Sequence, residues 1–158
     1  MSTFTSSFAP QLGTELPSLS RRWTLEEFRE RHELVYGPGR VVPQAWPERN
    51  LHSDAEAAAR EGLAGPAASA PQLFSMIHRQ MMMFFGRGWL AGGRMDIKMI
   101  KPVYVGDFTT AKGHVTAIGP EPDPSGDGEI QRVHCEVWVE RLDGAKVLVG
   151  SASGLLRD

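Results

Sequence analysis

The 158-residue chain is 41% hydrophobic and 23% charged, with a formal net charge of −2; it is long enough for one domain with a proper core, and its composition is that of a globular protein. So small a charge, with no basic cluster interleaved with aromatics, argues against nucleic acid or an anionic lipid surface as a partner. No apolar run approaches the ~20 residues of a membrane span, and the single Cys135 rules out an internal disulfide or a cysteine-based zinc site within one chain.

Residues 1–13 are rich in Ser and Thr, have no hydrophobic period and read as a loose N-terminal arm. They carry neither a basic nor an apolar leader region, so the chain is expected in the cytoplasm. Residues 14–158 then read as one domain. "ELPSLSRRW" can begin a strand, and Thr24, three residues before Glu27, has capping-box spacing ahead of the helical stretch "LEEFRERHELV". "YGPGRVVPQAWP" ends that helix in a loop. Asp54 can cap the short helix "AEAAARE", which stops at Gly62.

Ser69 as N-cap, Pro71 near the first helical position and Gly86 as the stop frame a long helix. It carries apolar residues on nearly every side, which suits an interior position, with Met81, Met82 and Met83 as core filler or as the adaptable wall of an apolar tunnel. After it the period changes to two. Strands are expected over "RMDIKMIKPVYV", "DFTTAKGHVTAIG", "EIQRVHCEVWVERL" and "KVLVGSASGLL". Asp143-Gly144 makes a tight hairpin, and "GPEPDPSGDGE" makes a long loop. This order suits an α+β hotdog fold, a long central helix wrapped by a curved antiparallel sheet. The alternative is a sheet with its helices on one face.

From about Leu12 to Leu156 the chain resembles the MaoC-like, or R-specific enoyl-CoA hydratase, branch of the hotdog superfamily. "LGTELPSLSRRWTLEEFRE" is similar to that family's opening strand and helix. "HSDAEAAAREGLAGPAASAP" follows its H-[TS]-D-x-x-x-A-x-x-x-G pattern, and "IKPVYVGDFTTAKGHVTAI" its KPV-x-x-GD strand pair. The resemblance implies a hydratase or dehydratase of enoyl or 3-hydroxyacyl thioesters. The family loop D-x-N-P-x-H supplies an Asp/His acid–base pair; here His52 is retained, Pro47 stands at the aspartate position, and Glu48 and Asn50 are each displaced by one.

The resemblance therefore implies His52 and Glu48 as catalytic residues and the Ala70 backbone N–H as the oxyanion donor at the helix entry. Asn50, Ser69, Met81, Lys98 and Lys101 are the substrate-binding candidates. Coenzyme A or phosphopantetheine enters only as part of the substrate, with no metal or redox cofactor, and the partner is a second hotdog chain in a homodimer or heterodimer. Two alternatives stay open: a hotdog acyl-thioesterase in which Glu48 activates water, or a non-catalytic subunit of a heteromeric hydratase.

Read without the resemblance, His52 is a loop residue before a helix, Glu48 a solvated loop charge and Asp54 a helix cap. His78 reads as a core or interface histidine, and Arg94, Lys98 and Lys101 as exposed strand charges that could alternatively meet phosphates. Cys135 alternates inward with Val133 and Val137 while His134 points to the opposite face, which disfavours a cysteine nucleophile.

Overall fold

The computed structural model describes residues 9–28, 49–126 and 128–157. Their elements are β1 (Leu19–Arg22), α1 (Ala55–Arg60), α2 (Ala70–Phe85), α3 (Arg87–Gly92), β2 (Arg94–Met99), β3 (Phe108–Pro122), β4 (Glu129–Arg141) and β5 (Lys146–Leu155). The strands form one antiparallel sheet in the order β1-β3-β4-β5-β2, which leaves β1 and β2 as its edges. A β-bulge between Val115 and Ala117 shifts the β3–β4 register and adds local bend.

Alternation decides which face of the sheet holds the core. Val133, Cys135, Val137 and Val139 of β4 are buried and face Gly154, Ala152, Gly150 and Leu148 across β5. Against this surface α2 lays Leu73, Met76, Ile77, Met81 and Phe85, reaching β3, β4 and β5. Leu73, Ile77 and Met81 have no exposure at all, and burying a side chain of that size contributes about 1.5–3 kcal/mol. A helix held in the curve of an antiparallel sheet is the hotdog fold.

Several sequence expectations change. Residues 25–28 are helical, and the rest of the expected first helix lies outside the described residues. The helix α3 was not anticipated, because the Gly86 stop signal hides a new turn behind it. β2 ends at Met99 instead of running on through Val105, since Ile100 and Lys101 leave the ladder and Pro102 has no N–H to offer it. The long loop after β3 is shorter than expected: pairing continues to Pro122 opposite Glu129.

The helix α2 is also less enclosed than its composition suggests. His78, Met82 and Met83 are exposed on its outer side, with His78 edge-on to Trp89 at 5.6 Å. Of the three methionines only Met81 is core filler. Hydrophobicity without period cannot say which side of a helix meets the sheet.

A buried arginine paired with a half-buried glutamate ties the far side together. Arg132 forks onto Glu121 at 2.5 and 2.6 Å and donates to the Gly92 carbonyl at 2.8 Å and to the Ser153 hydroxyl at 3.1 Å. Those hydrogen bonds hold the Glu121 carboxyl below its ordinary range. The fork joins the β3–β4 hairpin to the end of α3.

Candidate active site

The loop that carries His52 is pinned by its own short side chains. Asn50 Oδ1 accepts the His52 N–H at 2.8 Å, and the Asn50 carbonyl accepts the Ser53 and Asp54 N–H groups at 3.0 Å each. This Asx turn leads directly into α1. Asp54 Oδ1 caps that helix through the Ala57 N–H at 2.9 Å, while Oδ2 takes both Nε and a terminal nitrogen of Arg49 at 2.9 and 2.7 Å. The Ala57 amide, and after it Arg49, hold the Asp54 carboxyl below its usual range. Asp54 is an ionised cap committed to the loop's shape.

The same loop is fastened to the entry of α2. The Ala67 N–H donates to the Leu51 carbonyl at 3.1 Å, and the Ala67 carbonyl lies 2.7 Å from His52 Nδ1. A carbonyl only accepts, so Nδ1 carries a hydrogen and the neutral ring has its lone pair on Nε2. Proton uptake at Nε2 leaves the Nδ1 bond intact. The ring can therefore take and return a proton without reorienting. Behind it, Ala67 forms an isolated bridge with Tyr104 and the Ala68 N–H donates to the Val103 carbonyl at 2.8 Å, which anchors the segment to the connection between β2 and β3.

The helix entry supplies the other half. Ser69 caps α2, and Gln72 Oε1 accepts both the Ser69 N–H at 2.9 Å and the Ser69 hydroxyl at 3.0 Å. Pro71 has no N–H, and the Gln72 and Leu73 amides turn back to the Ser69 carbonyl. Among the described residues the Ala70 N–H has no hydrogen-bond partner. It is an orphan donor at the positive end of a 16-residue helix.

His52 and Ala70 line one cavity of about 380 Å³. Ala67 and Ala68 form part of its wall, Leu51 and Leu63 come from the two ends of the α1 segment, and residues 99–102 close the side next to β2. A planar carbonyl compound seated there would meet a proton acceptor and a backbone donor in one apolar space.

The other expected residues are distributed unevenly. Lys101 lines the cavity, whereas Lys98 is exposed on β2 and does not. Asn50 shapes the loop through its side chain, and Ser69 is buried against Gln72. Met81, the remaining substrate-binding expectation, is fully buried between α2 and the sheet and does not line this cavity, because its helical phase matches Leu73 and Ile77. Glu48 and Pro47 lie outside the described residues. Cys135 is buried and its thiol is pushed up to about 12 by that burial, and His134 is exposed on the opposite face. Among the described residues no group of three or more His, Cys, Asp or Glu is gathered to hold a metal ion, and no helix is long and apolar enough to cross a membrane. The cavity wall contributed by Ile100 and Pro102 was missed from sequence; the proline that ends β2 was the available signal.

No protein-family model matches the sequence, and no curated protein matches it. Solved structures do. The (R)-hydratase of A. caviae involved in PHA biosynthesis is 20% identical, with a TM-score of 0.66 over 96% of this chain and 100% of that one. The MaoC-like dehydratase of Rhodospirillum rubrum is 20% identical, with a TM-score of 0.67 over 92% of each chain. A conserved hypothetical protein of Mycobacterium tuberculosis with a double hotdog fold is 14% identical, with a TM-score of 0.70 over 92% of this chain and 42% of that one. The fold of this chain is thus the hotdog fold seen in MaoC-like dehydratases and (R)-hydratases.

Proposed function

We propose that the protein belongs to the MaoC-like family and hydrates 2-enoyl thioesters, or dehydrates the corresponding 3-hydroxyacyl thioesters. The observation that carries the reading is the meeting, in one cavity, of His52 with its Nδ1 hydrogen committed to the Ala67 carbonyl and of the Ala70 N–H at the start of α2. In the hydration direction His52 Nε2 accepts a proton from water as its oxygen bonds to C3 of the enoyl group. Charge passes through the double bond to the thioester oxygen, where the Ala70 N–H and the helix dipole stabilise it. Return of that proton from His52 Nε2 to C2 then completes the addition of one water and leaves the ring neutral again.

Glu48 is assigned the second contact to that water, in place of the aspartate whose position Pro47 occupies. The chemistry calls for no metal or redox cofactor, because water is added and the polarising group is a backbone amide. A second hotdog chain is the partner, in the cytoplasm; the open edges β1 and β2 and the double hotdog of the structural relative support the pairing.

The test is hydration of a crotonyl-type thioester. His52→Ala is expected to lower the rate by about 10²–10⁴-fold while the fold is retained, and Glu48→Gln to lower it strongly as well. A His52→Ala variant as fast as the parent sinks the reading. Release of free thiol without hydration, stopped by Glu48→Gln, would make the protein a thioesterase. Hydration only after a second hotdog chain is added would make it a non-catalytic subunit.

A further inference from the structure

Helices α1 and α2 differ in what meets the positive charge of their N-termini. α1 is capped by the ionised Asp54 and carries Glu56 in its first turn, so its end is answered by carboxylates. The first turn of α2 holds no acidic residue. Its third helical position, where a capping box takes Glu or Gln, is Gln72. For the helix alone glutamate would serve better, since negative charge is favoured near an N-terminus. The neutral residue has its reasons in the surroundings.

Gln72 is buried, at 9% exposure, and does not line the cavity. Both polar atoms of its carboxamide are committed. Oε1 accepts the Ser69 N–H at 2.9 Å and the Ser69 hydroxyl at 3.0 Å. Nε2 donates to the Glu27 carbonyl at 3.1 Å, in the helical turn that follows β1. The two sides fix the amide's orientation, because a backbone N–H must meet the oxygen and a carbonyl must meet the nitrogen. A carboxylate would keep the first contact and set an anionic oxygen against the Glu27 carbonyl.

The consequence falls on Ala70. The Ser69 carbonyl accepts the Gln72 and Leu73 amides at 3.0 and 3.4 Å. The Ala70 N–H shares the trans peptide plane of that carbonyl and points the opposite way, out of the helix end, where Ala70 lines the cavity. With the Ser69 N–H also held by Gln72, Ser69 is fixed on both sides and the Ala70 N–H has one direction. The nearby Glu27 carboxylate is itself occupied by Arg21 at 2.8 Å and the Thr24 N–H at 3.0 Å, and His52 stands on the cavity side, tied to Ala67.

We propose that Gln72 is the positioning residue of the oxyanion donor: its carboxamide ties Ser69 to the Glu27 turn, which aims the Ala70 N–H, and its neutrality leaves the positive end of α2 to the charge that develops on the thioester oxygen. The catalytic part of this statement rests on the hydratase reading; the aim and the charge of the amide do not. Gln72 exchanges no proton in the reaction and acts only through Ser69 and Ala70.

Two variants test it on a crotonyl thioester. Gln72→Glu is expected to lower kcat about tenfold at neutral pH with KM unchanged, because the oxyanion forms only in the transition state. A protonated carboxyl offers Ser69 the same acceptor and the Glu27 carbonyl an O–H. The parent-to-variant ratio in kcat therefore closes as the pH falls through the introduced carboxyl's titration, with His52 titrating alike in both proteins. Gln72→Met, of similar length but unable to bond either side, lowers kcat without any such closure. Hydrogen exchange at the Ala70 amide, followed by nuclear magnetic resonance, reads the same potential without substrate, since base-catalysed exchange passes through a negatively charged peptide nitrogen. It is expected to slow about tenfold in Gln72→Glu. A thermal melt at each pH checks that the variants are folded. Parental kcat in either folded variant overturns the assignment, and a loss in Gln72→Glu that is equal at every pH overturns its electrostatic part. Slowed exchange in a protein that hydrates nothing discards the hydratase reading and keeps the aim and charge of the amide; hydration with unchanged exchange and kcat in Gln72→Glu does the reverse.

Discussion

The two ends of α2 are built in opposite ways. Its first turn begins among Ala67, Ala68 and Ala70, whose side chains are too small to fill the space between the helix and residues 99–102. Its last turn ends in Phe84 and Phe85, edge-on to each other at 4.8 Å, and the Phe85 ring covers Gly154 so closely that a Cβ there would lie 2.6 Å from it. One end leaves volume beside an orphan donor and the other end leaves none. The difference teaches how a cavity survives in a close-packed fold: the helix is gripped at its far end and along its middle, so its N-terminus can face open space without shifting.

That contrast can be broken at either end. The largest expected effect is at the entry. Ser69 has φ −77° and ψ 154°, the conformation a residue takes before proline, and proline is tolerated at the first helical position. Ala70→Pro thus deletes the orphan N–H and little else. It is expected to cost about 10²–10³-fold in kcat for hydration with an unchanged melting curve. A variant with parental kcat would remove the Ala70 amide from the mechanism.

At the packed end the expected effect is on stability. Gly154→Ala puts a methyl group into the Phe85 ring, and overpacking of this kind costs about 1–3 kcal/mol, read as a lower denaturation midpoint with an unchanged kcat. An equal midpoint would show that the ring moves aside freely and that the two ends differ less than their packing implies.

The smallest effect lies in the loop that orients His52. Asp54 is held ionised below its ordinary range by the Ala57 amide and by Arg49, so its folded-state value lies under its unfolded one. Its contribution is complete above the unfolded value of about 3.9 and is lost as the pH falls through the folded value. Asp54→Asn, still a good cap, should melt slightly below the parent at neutral pH, and the two curves should converge on acidification through the carboxylate range. A gap that widens in acid would contradict the assignment.

Much of this architecture was legible in the sequence. Asp54, Ser69 and Gly86 mark helix ends because capping is local chemistry, and the alternation through Val133, Cys135, Val137 and Val139 marks the inner face because a strand's period is fixed. The proximity of His52 to the Ala67 carbonyl was not legible, since it depends on how a turn folds back over fifteen positions. Nor was the exposure of Met82 and Met83, because residue type does not reveal which side of an apolar helix meets the sheet. The bridge from Gln72 to the Glu27 carbonyl escaped as the His52 contact did: it spans 45 positions.

Cys135 carries one more consequence. A thiol with so high a proton affinity, shut inside the sheet, offers almost no thiolate to a labelling reagent at neutral pH. Colorimetric thiol reagents added to the native protein will therefore register only thiols released into solution, so the assay that separates hydration from thioester cleavage starts from a blank background. A cysteine placed at an exposed site such as Leu142 would then be the sole reactive handle on the native molecule, ready to carry a fluorophore at the β4–β5 turn.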